Sequence, residues 1–184
     1  MPQLSFFKQR LYVTLVVTVA IWILLLWDFY HGGVPSHHIL QNKDLPKFSN
    51  WWGGLLLPLL TWFLLYRSQV RIEKESTSKV FPTRFVTHFV GALFFGIVLS
   101  VFFLLGNQDV PFYMLVGLLV FAFFFPIYRA ECLLGFVLGM TYTFGGVLPI
   151  IIGTVLVLIT GAIYLLLLPI LRFIWSRVIK LFNS

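Results

Sequence analysis

From Cys132 to Ile174 the chain runs for 43 residues with a single charge, Arg172. One helix of that length would extend about 65 Å at ~1.5 Å per residue, roughly twice the hydrocarbon core of a bilayer. The stretch therefore has to fold back as two helices. Gly145, Gly146, Pro149 and Gly153 gather between Thr143 and Thr154, and the break is expected within that window. The rest of the chain does not supply the missing polarity. Of its 184 residues 60% are hydrophobic and 10% charged, against about a quarter charged in an average soluble domain. The fold class that follows is an all-α integral membrane protein.

Apolar stretches can be laid out over about 10–30, 51–67, 85–105, 110–128, 132–150 and 154–174. They leave short connections and no separate soluble domain, so residues 1–184 read as a single polytopic membrane domain, a six-transmembrane-helix bundle. The apolar run from Leu11 to Trp27 lacks a small-residue cleavage site and reads as a retained first span. Gly32-Gly33 followed by Pro35 should stop it. Asn50 is a candidate N-cap for the second helix, and Pro58 should kink that helix. Asp109 and Pro111 stand in the cap-then-proline order that opens a helix. Gly135 and Gly139 form a small-xxx-small pair of the kind that admits a close neighbour, although chance also places glycines at that spacing.

Charge orients the spans. With six crossings, one side receives Lys8, Arg10, the five basic residues from Arg67 to Arg84, Arg129, Arg172, Arg177 and Lys180. That is 11 of the 13 basic residues, and the other side receives only Lys43 and Lys47. The positive-inside rule then places both termini in the cytoplasm, in the inner (plasma) membrane of the cell. The net charge of +7 reads as orientation and contact with anionic headgroups of the lipid bilayer, and not as nucleic-acid binding. The lone cysteine, Cys132, excludes an intrachain disulfide and a cysteine-cluster metal site.

Reactive side chains concentrate in the loop that this orientation places outside. Asp28 and His31 are three apart at the end of the first helix, and His37 and His38 follow a Gly-Gly-Val-Pro-Ser turn. Ser36 could cap a short interfacial helix carrying both histidines. Imidazole and carboxylate together suit a divalent metal, zinc foremost, and a catalytic ion needs three protein ligands and an open water position. Such an ion would generate a nucleophile near neutrality, with Asp44 or a spare histidine as proton acceptor. The activity expected is hydrolysis of a lipid or amphiphile at the interface. The plainer reading is a set of headgroup-level polar groups, with Trp27, Trp51 and Trp52 in the aromatic belt.

Other features limit the alternatives. No Asp, Glu, Lys or Arg lies mid-span, which disfavours a coupled transporter. A passive, homo-oligomeric pore gated by the titration of the outer histidines fits, as does a scaffold subunit without chemistry of its own. His88 follows Arg84 by four residues and so enters from the basic side, a full bilayer from the other histidines. It could pair with Glu131 or sit near Arg129, but reads most simply as an interfacial residue. No P-loop, dinucleotide fingerprint or haem motif occurs.

Overall fold

A computed structural model describes residues 3–33, 36–38, 47–75, 81–107, 109–171 and 173–175. Six α-helices account for nearly all of it: α1 (Gln3–Tyr30), α2 (Gly53–Glu75), α3 (Thr83–Leu104), α4 (Asp109–Phe121), α5 (Ala130–Phe144) and α6 (Val147–Ala162). A π-helical turn, Ile163–Leu167, carries α6 onward, so that a continuous helical run reaches from Val147 to Trp175. Among the described residues three stretches are long and apolar enough to cross a membrane: Phe6–Tyr30, Thr83–Leu104 and Val147–Trp175, with mean hydropathies of 2.1, 2.2 and 2.7. On length and composition this is a helical membrane protein. α4 and α5, at 13 and 15 residues, would be only about 20 Å long.

Several boundaries differ from those expected, each for a local reason. α2 runs on to Glu75 because its last turns are amphipathic. Leu64, Leu65, Ser68 and Ile72 are buried along one stripe, while Arg67, Glu73 and Lys74 face out. α4 stops at Phe121, and a series of turns carries the chain on to Pro126, before which helix is disfavoured. The break in the long apolar stretch falls at Gly145–Gly146, inside the expected window. Gly145 has φ +72, a left-handed conformation that a side chain would resist. Ser36–His38 form no interfacial helix. They make strand β1, paired antiparallel with β2 (Lys47–Ser49) in a register of Ser36 with Ser49 and His38 with Lys47. Nor is Asn50 the cap. Ser49 accepts a hydrogen bond from Trp51 N at 3.4 Å, opening a single 3-10 turn before α2, and Asn50 is buried against Gly145.

The helices alternate in direction, as their end-to-end contacts require. Phe7 near the start of α1 meets Trp62 midway along α2, while Trp22 further along α1 meets Trp51 in the turn just before α2. Tyr128, just before α5, meets Tyr164 beyond α6. One end of the bundle therefore collects Arg10, Arg71, Arg84 and Arg129, and the other collects Asp28, His31, Trp51 and Trp52. Arg10 is buried there without an acidic partner among the described residues; its guanidinium stands 4.0 Å from the Trp62 ring centroid, a cation–π contact.

The centre belongs to α5, nine of whose fifteen residues are buried. α3 lies parallel to it along a seam of glycines. A side chain on Gly135 or Gly139 would strike the carbonyl oxygens of Phe89 and Leu93, and one on Gly96 would come within 2.7 Å of Phe136 O. The small-xxx-small pair thus has a definite partner, α3. Gly153 on α6 and Gly146 against Gly53 on α2 repeat the device on other sides of α5. Between apolar helices in lipid, close van der Waals contact of this kind supplies the association that the hydrophobic effect supplies in water.

Gly139→Leu is accordingly expected to cost about 2–3 kcal/mol or more by forcing α3 and α5 apart. Gly117→Ala, where an added carbon meets nothing within 4 Å, should be neutral or slightly stabilising. Unfolding titrations of both variants in mixed micelles compare them, and equal losses would contradict the seam.

Candidate functional site at the basic end of the bundle

Three helices deliver polar side chains to one buried carboxylate. Glu131 sits in the first turn of α5, where the helix dipole favours negative charge, and its side chain is fully buried. Arg71 of α2 donates from Nη2 to Glu131 Oε1 at 2.8 Å, and Ser68, one turn earlier on the same face, donates to Oε2 at 3.4 Å. His88 of α3 brings Nδ1 to 3.5 Å from Oε1. Arg71 also lies 3.8 Å from Glu75, its neighbour one turn on. Carboxylate oxygens accept and do not donate, so every group around Glu131 points a donor at it. That arrangement fixes the His88 ring with its proton on Nδ1 when neutral, and leaves Nε2 as an acceptor. Nε2 makes no hydrogen bond among the described residues.

His88 also stands in the wall of a cavity of about 490 Å³ enclosed by α3, α4, α5 and α6. The size is within the usual range of small-molecule sites. Its lining is apolar, with Phe95, Phe121 and Phe136 prominent, and among the described residues contains no Lys, Arg, Asp or Glu. The space exists because Gly91 on α3 and Gly117 on α4 face it without side chains; a carbon added to either would meet nothing within 4 Å. Phe121 and Phe125 line it and are each more than half exposed, so the cavity opens sideways on the apolar flank of the bundle. Its polar groups are Thr87, His88, Cys132 and Thr160, all toward the basic end. Thr87 and Thr160 donate to carbonyl oxygens one turn back in their own helices, Thr83 O at 3.0 Å and Leu156 O at 2.7 Å.

The residues expected to bind metal lie at the opposite end. His31 is exposed; it stacks on Trp27 at 3.9 Å between ring centroids and donates from Nδ1 to Trp27 O at 2.9 Å, closing the last turn of α1. Asp28 accepts through its backbone carbonyl from Gly33 N at 2.9 Å. The side chains of His37 and His38, and all of Asp44, lie outside the described residues. Among the described residues no group of three or more His, Cys, Asp or Glu is placed to hold an ion. Asp28 and His31 remain as two described ligands where a catalytic zinc needs three. His88 is across the bundle from them, as its place after Arg84 implied, and the partner it takes is Glu131.

Sequence reading named Glu131 only as one partner His88 could take, and passed over Ser68, Arg71 and the cavity. The available signal was the amphipathic continuation of α2, which puts Ser68 and Arg71 on the face that carries Leu64 and Leu65. The chain matches no family model, and no curated protein or solved structure is similar to it at a significant level.

Arg71→Ala leaves the Glu131 carboxylate buried without its nearest partner and is expected to cost about 2–3 kcal/mol, whereas Arg71→Met combined with Glu131→Leu should cost much less. Unfolding of the single and double variants decides this; additive losses would contradict a coupled pair. His31→Ala should cost about 1 kcal/mol, the worth of one hydrogen bond. Zinc that raised the melting temperature of the natural protein but not of His31→Ala would return a ligand role to His31.

Proposed function

We propose that this is a six-span protein of the inner membrane, with both termini cytoplasmic, that binds a single-chain amphiphile in the cavity between α3, α4, α5 and α6. The distribution of basic residues supports the orientation, because α1 to α6 alternate and the basic end carries the positive charge that favours the cytoplasmic face. The carrying observation is the cavity itself. It is apolar along its length, open toward the flank that would face lipid, and polar only at the end that would lie near headgroups. An alkyl chain would lie among Phe95, Phe121 and Phe136, with its head toward His88.

Water has little reason to fill such a space, since an apolar wall offers it no partners. A lipid chain entering from the side loses little solvation and gains contacts with ring faces. The activity that follows is binding, for sequestration or presentation of the amphiphile at the cytoplasmic leaflet.

The test is photolabelling in lipid nanodiscs with cetyl alcohol carrying a mid-chain diazirine, followed by mapping of the labelled residues. Labels should concentrate on α3 and α4 around Gly91 and Gly117. Gly117→Phe, which occupies the space without meeting a neighbour at its first carbon, should abolish that labelling while the protein stays folded. Labelling spread evenly over the exposed face of α1, and unaffected by Gly117→Phe, would refute the proposal.

A further inference from the structure

Resting on that reading, the geometry points to the chemistry of the head: we infer that His88 accepts a hydrogen bond from a neutral hydroxyl, so that the ligand is a long-chain alcohol or phenol and not a carboxylate or phosphate.

Among the described residues the cavity wall holds no cation. Arg71 is engaged by Glu131 at 2.8 Å and lies near Glu75 at 3.8 Å, and it is not among the lining residues. Arg84 is exposed on the first turn of α3, and Arg129 precedes α5; neither lines the cavity. An anionic head brought into this space would meet no Lys or Arg among the described lining residues, while the Glu131 carboxylate stands 3.5 Å behind the imidazole. Burying an unpaired charge is far more costly than burying a hydroxyl that finds a partner.

The polar groups of the wall narrow the choice further. Thr87 and Thr160 have already given their hydroxyl protons to backbone carbonyls. Cys132 offers a weak donor and a weak acceptor. Both threonine oxygens can still accept, so they too favour a donor, and among the described residues His88 is the one ring nitrogen of the wall, with its polarity set from behind. In the neutral ring the Nδ1 proton is directed at Glu131 Oε1, and Nε2 presents a lone pair. A group that matches it must donate. A hydroxyl does so without charge, and a methyl ether of the same length cannot. The inverse arrangement, an acceptor head such as an ester carbonyl, would face that lone pair unpaired.

The discrimination can be read by changing the ligand and leaving the protein intact. The photoreactive cetyl alcohol is bound to the full chain in nanodiscs, and labelling is competed with cetyl alcohol, cetyl methyl ether and palmitate. Cetyl alcohol should compete about tenfold better than the ether, the worth of one hydrogen bond, and better than palmitate. His88→Leu should retain labelling but bring alcohol and ether to the same potency. If alcohol and ether compete equally against the natural protein, His88 accepts nothing and the inference fails while the cavity reading stands. If palmitate competes best, the head is an anion and the inference is overturned. If none of the three displaces the label from the cavity, the amphiphile reading itself fails.

Discussion

The contact of α3 with α5 is the constraint from which the other features follow. Gly135 and Gly139 let the backbone of one helix lie against carbonyl oxygens of the other, and Gly96 makes the approach reciprocal. Side chains cannot hold helices apart where there are none. Because the two helices run parallel, their first turns end up adjacent, and His88 near the start of α3 meets Glu131 at the start of α5. Because they are so close, the remaining helices must pack around them. α6 closes on the far side of α5 through Gly153, while α4, short and bearing Gly117 where α3 bears Gly91, leaves a space. The cavity thus borders the seam: small residues draw α3 and α5 together, and Gly91 and Gly117 leave room beside them.

The polar cluster at the basic end belongs to the same logic. A buried carboxylate is tolerable only with partners that satisfy it, and Glu131 has three, from Ser68, Arg71 and His88. The amphipathic end of α2 and the first turns of α3 and α5 are tied there by side chains. At the opposite end Gly53 lies backbone to backbone on Gly146, and the Asn50 side chain packs against Gly145. The tie also gives one histidine of the cavity wall a defined chemical face. A lone imidazole on an apolar face would have either ring nitrogen available; Glu131 removes that ambiguity.

The class of the protein was legible in the sequence because the bilayer imposes length and hydropathy on anything that crosses it, and the Cys132–Ile174 stretch satisfies no other solvent. The helix break was legible only as a window from Thr143 to Thr154, within which the structure places it at Gly145–Gly146. What the residues did not disclose was partnership. Gly135 and Gly139 announce that something approaches, but nothing in their spacing says that it is Phe89 and Leu93 of α3. Asn50 resembles a cap because it precedes an apolar run, yet Ser49 takes that role and Asn50 packs against Gly145. The histidine cluster drew attention because its members are close in sequence, whereas Glu131 and His88 are 43 residues apart. A cavity has no residues of its own. Gly91 and Gly117 in apolar helices look like ordinary membrane glycines, and only the packing shows that they face the same void.

Direction is the part of this account most open to a single measurement. In a background with Cys132→Ala, paired cysteines at Phe103 and Phe144, whose rings stand 4.7 Å apart, can be bridged by a short thiol cross-linker in native membranes. Parallel packing of α3 on α5 requires rapid cross-linking of Phe103→Cys with Phe144→Cys and none of Phe85→Cys with Phe144→Cys. The reverse pattern would place the start of α3 at the end of α5, separate His88 from Glu131, and contradict both the seam and the site built on it.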